Sequence, residues 1–248
     1  MVYRDLAFQS RKMLSIAALS NGVPFYFYQI LNLFYEEMNP YFKEWGFKFH
    51  KTKLEGSQTQ GYINKRVFFD ANYFLGKGVF QPYLRLRNEL IMGIRAKVNK
   101  RYDNNHFLII SMHLPEVASL LGRNDLNFLF ENLDDHDLGS YVYDRTMPFF
   151  KKHFVKFMEE VGLRFFELFY THKDFDHWFN DGLFEGKYEG VKINQDTVPI
   201  YSYISAYISG NECVEDIYNY WMNYEDLYSE AKEEIRSVRE YLHNDYEA

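Results

Sequence analysis

The sequence predicts an α+β protein in which an antiparallel β-meander of four strands packs against a helical layer, with a helical part toward the C-terminus. Three observations carry this expectation. Apolar residues recur at helical spacing up to residue 45, alternate with polar residues between 46 and 99, and return to helical spacing beyond 113. The links between the alternating segments are short, which suits antiparallel neighbours with one wet face. Composition agrees, since 47% of the 248 residues are hydrophobic and 25% are charged, enough for a sizeable core and unlike a disordered chain. The expected division is 1–112 for helices plus sheet and 113–248 for a mainly helical part packed into the same core.

Residues 4–20 read as a first helix, closed by Asn21-Gly22, a pair suited to the left-handed turn after a helix. Pro24 then opens a second helix, on which Phe27, Ile30, Leu31, Phe34, Met38, Phe42 and Trp45 share one stripe. Pro40 is a kink point, and Gly46 ends the helix. Residues 13–35 lack charge over the length of a membrane span, but Asn21-Gly22-Val23-Pro24 interrupts them, so two buried helices are expected and no membrane partner.

The period then becomes two. Phe47 and Phe49 alternate with Lys48 and His50, while Ile63, Val67, Phe69, Ala71 and Tyr73 share one parity. After the turn Gly76-Lys77-Gly78, Phe80, Leu84 and Leu86 alternate with Gln81, Tyr83, Arg85 and Arg87, with Pro82 at an edge or bulge. A fourth strand places Leu90, Met92, Ile94, Ala96 and Val98 on one face, opposite Glu89, Arg95 and Lys97. Phe107 to Met112 offers one strand more.

Beyond it, Pro115 to Leu121 suits a short helix closed by Gly122. Phe150, Phe154, Phe157, Met158, Val161, Phe165 and Phe169 mark a buried helix, and residues 180–198 a long surface loop. A helix from Pro199 to Ser209 ends at Gly210. The final helix steps through Ile217, Trp221, Tyr224, Tyr228, Ala231, Ile235, Val238 and Leu242 in a heptad seam. Packing against the protein's own helices is expected of that seam, with homodimerisation as the alternative.

With 24 Phe, 22 Tyr and 3 Trp, one residue in five is aromatic, and a ring-rich core follows. Cys213 is the single cysteine, which excludes an intramolecular disulfide and fits a cytoplasmic setting. Phosphate-cradling glycine loops and a nucleophile elbow are missing, so no cofactor and no catalytic residue are expected.

The net charge of −7 is sorted along the chain: residues 46–101 carry net +9, whereas 102–210 and 211–248 carry −8 each. Acidic helices attract basic proteins by long-range steering. The expected docking residues are Asp134, Asp135, Asp137, Glu225, Asp226, Glu230, Glu233 and Glu234. On the sheet, Arg66, Tyr83, Arg85, Arg87, Arg95 and Lys97 would cluster on the exposed parity, a second and less favoured possibility for a nucleic-acid backbone with a stacked base.

Thr171-His172-Lys173-Asp174-Phe175-Asp176-His177 resembles the His-x-His-x-Asp-His motif of the metallo-β-lactamase-type hydrolases. The resemblance implies zinc on His172, Asp176 and His177, with Asp174 where the family has its second histidine and a metal-bound water as nucleophile. It covers seven residues late in the chain, after a helical segment, so a metal-dependent hydrolase ranks third.

The stripe ending in Phe42 and Trp45, followed by Gly46-Phe47-Lys48-Phe49, the strands through Leu86 and Met147-Pro148-Phe149-Phe150, resembles an uncharacterised bacterial family of helix-plus-antiparallel-meander domains, some of them associated with toxin-immunity loci. The resemblance implies a binding protein with no catalytic residues. The expectation from charge and resemblance together is a non-enzymatic, immunity-like inhibitor that binds a basic protein partner, such as a toxin, through its acidic helices.

Overall fold

The computed structural model describes residues 25–74, 77–102, 109–129, 141–142, 151–187, 194 and 197–246. The expected helix over 4–20 lies outside them. The fold is α+β, an antiparallel sheet with helices and a C-terminal helical part. Helix α1 (Phe25–Glu44) accommodates Pro40 and is followed by Gly46 in the left-handed region at φ 77°. Strands β1 (Lys48–His50), β2 (Glu55–Gln60), β3 (Ile63–Phe74) and β4 (Lys77–Asn88) follow in order, then α2 (Glu89–Val98), β5 (Ile110–His113) and α3 (Leu114–Leu120). The sheet order is β1-β2-β3-β4-β5, and the short β6 (Tyr141–Val142) pairs with β4 through Val79↔Val142 and Phe80↔Tyr141.

Further on, α4 (residues 151–157) runs through a π-helical turn, Met158–Gly162, into α5 (Leu163–Glu167). Helices α6 (His172–Asn180), α7 (Val198–Ser209), α8 (Val214–Asn223) and α9 (Ser229–Asn244) complete the order. No helix among the described residues is long and apolar enough to cross a membrane.

The described residues form two compact units. The first comprises those up to Gln58, Lys65–Arg85 and Ser111–Phe166; the second comprises Thr59–Asn64, Leu86–Ile110 and those from Glu167 onward. Each unit is thus assembled from segments far apart in the chain.

The first unit has the ring-rich core that the composition predicts. Phe34, Met38 and Phe42 of α1 are fully buried, with Phe42 stacked on Phe49 at 4.4 Å and Phe34 edge-on to Phe69 at 4.8 Å. Phe154 of α4 meets Phe69 at 5.1 Å. On this unit's part of β3 the buried parity is Lys65, Val67 and Phe69, and on its part of β4 Leu84 is buried, as alternation requires.

Strand β2 escapes the hydrophobic pattern because its inward position is taken by another residue. Gly56 sits opposite Phe49, and a Cβ there would come within 2.2 Å of the Phe42 ring. The ring fills the space a strand side chain would occupy.

In the second unit α7 is the central element. Eight consecutive residues, Pro199 to Ala206, are buried, and α2, α6, α8 and α9 all pack against this helix. The helix carries no charged residue, so its enclosure buries no charge. It ends at Gly210 in the left-handed conformation, φ 68°.

Two expected elements differ. Residues 89–98 form helix α2 and not a fourth strand: Asn88 Oδ1 accepts from Leu90 N and Ile91 N at 3.1 and 3.3 Å, and Ile91, Met92, Ile94 and Arg95 are buried at helical spacing. The apparent alternation arises because Met92 and Ile94 fit either period, whereas the burial of Ile91 and Arg95 fits only the helical one. The expected single C-terminal helix is broken at 224–228, where Leu227 turns inward at 4% exposed and Tyr228 outward at 37%. Ala231, Ile235, Val238 and Leu242 are buried, and α9 packs on α2 and α7.

Candidate functional site

The acidic positions of the C-terminal segment lie on the surface of the second unit. Glu225 and Asp226 are exposed in the turn between α8 and α9, and Glu230 and Glu233 are exposed in the first turns of α9. Glu230 stands where the helix dipole favours an anion, and it accepts from Ser229 Oγ at 3.0 Å. Asp134, Asp135 and Asp137 lie outside the described residues.

Beside these carboxylates a groove of about 380 Å³ opens between the end of α2 and the start of α9. Val98 and Ala231 give it apolar lining, Tyr228 a ring, and Glu230, Glu233 and Glu234 three carboxylates; Asn99, Arg101 and Ser237 complete it. Sequence reasoning missed Arg101 and counted Tyr228 as a seam residue. The signal for Tyr228 was available, because Leu227 next to it competes for the inward position.

The three groove carboxylates are not equivalent. Glu234, only 13% exposed, holds the wholly buried guanidinium of Arg95 through bonds of 2.6 and 3.2 Å. Hydrogen bonding to Glu234 keeps Arg95 more basic than usual even though burial opposes it. Glu233 meets Arg236 at 2.8 Å as an exposed pair. The carboxylates facing water are therefore Glu225, Asp226, Glu230 and Glu233, while Glu234 fixes α9 to α2.

The separation of charge along the chain is only partly kept in space. Arg95 and Arg101 come from the basic segment and end beside acidic α9 in the second unit. The candidate cationic sheet face also loses members. Arg87 is 5% exposed and bonded to Glu89 at 2.7 Å, and Arg95 and Lys97 are on helix α2. Arg66, Tyr83 and Arg85 remain on the half-exposed parity of the sheet in the first unit. There Arg85 lies 3.8 Å over the Phe68 ring and 5.0 Å from that of Tyr83, and its Nε donates to Ser111 Oγ at 3.3 Å. Arg66 faces Glu55 at 3.6 Å.

The string with the hydrolase-like pattern is a helix start, not a loop. Thr171 is the N-cap of α6, and Asp174 Oδ2 accepts from Tyr170 N, Thr171 N and Thr171 Oγ1 at 2.6 to 3.0 Å. Asp176 is buried and accepts from Asn180 and Asn211 amides at 2.6 and 2.8 Å. His177 is exposed and meets Asp181 at 3.1 Å, which holds its imidazole more basic than usual. His172 Nδ1 meets the Asn88 amide at 3.0 Å. The four side chains thus have four separate sets of partners. Among the described residues no group of three or more His, Cys, Asp or Glu is arranged to hold a metal ion.

No protein-family model matches the chain, and no curated protein or solved structure matches it either.

Proposed function

We propose that this is a non-enzymatic interaction protein that masks a basic protein partner with the acidic surface of its last two helices, in the manner of an immunity-like inhibitor. The observation that supports the reading is the groove at the start of α9, where the exposed Tyr228 ring stands among Glu230 and Glu233. An aromatic ring beside carboxylates suits the stem and head of an arginine or lysine, since the ring offers a cation–π face and the carboxylates offer charge. Glu225 and Asp226 extend the anionic edge beyond the groove and would speed encounter with a cationic surface. Occlusion of the partner's basic site is the mechanism.

Affinity capture from extracts of the native host, with wild-type chain and a Glu225→Lys/Glu230→Lys double variant side by side, tests the reading. One basic protein should be retained by the wild type, released by added salt, and lost with the variant. Equal retention by both chains, or no salt-sensitive basic protein on the wild type, rejects it.

A further inference from the structure

Two helices of the second unit begin at one buried amide. Asn88 is 0% exposed and caps α2 through Oδ1, which accepts from Leu90 N and Ile91 N at 3.1 and 3.3 Å. Because that oxygen is committed to two backbone donors, the other end of the amide is the NH₂ group, and it reaches His172 Nδ1 at 3.0 Å. An NH₂ can only donate. His172 Nδ1 must therefore accept, and the ring carries its proton on Nε2.

We infer that Asn88 and His172 form an acid-sensitive latch, in which the amide clasps the first turns of α2 and α6 while the imidazole is neutral and releases α6 when His172 gains a proton. A proton on Nδ1 would point N–H at N–H, and the imidazolium would stand in the first turn of α6, where the helix dipole disfavours a cation. Burial lowers the basicity of His172 in the same direction.

The neighbouring groups do not offset this. Tyr62, from the turn after β2, brings its ring to 5.7 Å. Glu89 is bonded to Arg87, Asp174 to the α6 cap, Asp176 to two amides, and Tyr201 of α7 to Met92. Since the folded chain favours the neutral ring, its contribution to stability is complete above the ordinary histidine value of about 6.5 and declines as pH falls below it.

Nitrogen NMR of the full chain, with His172 assigned through its backbone, tests the latch without any variant. The Nε2–H tautomer should dominate at neutral pH, with a titration midpoint below about 6.5. Once corrected for intrinsic exchange, the Tyr170 and Thr171 amide protons, which Asp174 holds at the start of α6, should exchange several-fold faster below that midpoint. Asn88→Asp keeps a capping oxygen but presents an anion, so it should move the His172 midpoint upward by roughly one pH unit or more. An Nδ1–H tautomer, a wild-type midpoint at or above the ordinary value, or capping amides indifferent to the charge on His172 overturns the inference.

Discussion

Glu234 grips Arg95 at two points, Oε1 to Nε at 2.6 Å and Oε2 to Nη2 at 3.2 Å, and the guanidinium it holds has no exposure to solvent. This joins α9 to α2 by a charge pair across 139 residues of chain. Removing one member of such a pair leaves a buried charge, which typically costs about 3–5 kcal/mol, whereas replacing both by apolar groups of similar size is close to neutral. Glu234→Gln should therefore lower the urea midpoint strongly, and Arg95→Met/Glu234→Leu should recover most of the loss. A Glu234→Gln midpoint equal to wild type would contradict the finding.

The Phe42 ring and Gly56 compete for one volume. An added methyl at Gly56 would overlap the ring at 2.2 Å, and overpacking of this kind costs about 1–3 kcal/mol. Gly56→Ala should lower the thermal midpoint, and pairing it with Phe42→Leu should return part of the loss by making room. Thermal unfolding of the two variants is the measurement.

A polar chain inside the second unit predicts a third effect. Trp221 Nε1 donates to Ser202 Oγ at 2.7 Å, Ser202 Oγ donates to Asn180 Oδ1, and Asn180 donates to Asp176 at 2.6 Å. Ser202 and Trp221 are both fully buried, so Ser202→Ala strands an indole N–H and an amide oxygen at a cost of about 1–3 kcal/mol per unmet group. Unfolding followed by tryptophan fluorescence should show the loss, and Ser202→Thr should retain more of the stability than Ala.

The parts of the fold legible in the sequence were those whose burial depends on neighbours in the same element. The α1 stripe through Phe34, Met38 and Phe42 and the parity of β3 and β4 are of this kind. What was hidden depended on distant residues. Strand β2 has no apolar pattern because Phe42 supplies the missing side chain at Gly56. Arg87 and Arg95 read as solvent-facing because their acceptors, Glu89 and Glu234, cannot be inferred from alternation. The α8–α9 break was masked by Tyr228, which keeps the heptad step while Leu227 takes the inward place. At the candidate site the acidic positions of the C-terminal segment are legible, but the groove is not, since residues 89–98 carry a strand-like alternation and only their helical form brings Val98 and Arg101 beside α9.

Glu215 links α8 to α9, and its titration gives a pH prediction. Arg239 donates to it through Nη2 and Nε at 2.9 and 3.2 Å, and His243 Nε2 lies 3.3 Å away. Hydrogen bonding from Arg239, then its charge, then His243, hold the carboxyl below the usual glutamate range. A folded-state value below the unfolded one means the stabilising term is complete above about pH 4.3 and is lost as pH falls through the depressed value. The two side chains are 46% and 39% exposed, so solvent screening limits the term to about 1 kcal/mol or less. Glu215→Gln should therefore lower stability slightly at neutral pH, converge with wild type in acid, and differ less as salt rises. Urea midpoints for both chains from pH 3 to 7 decide it, because a gap that widens toward acid requires the opposite shift.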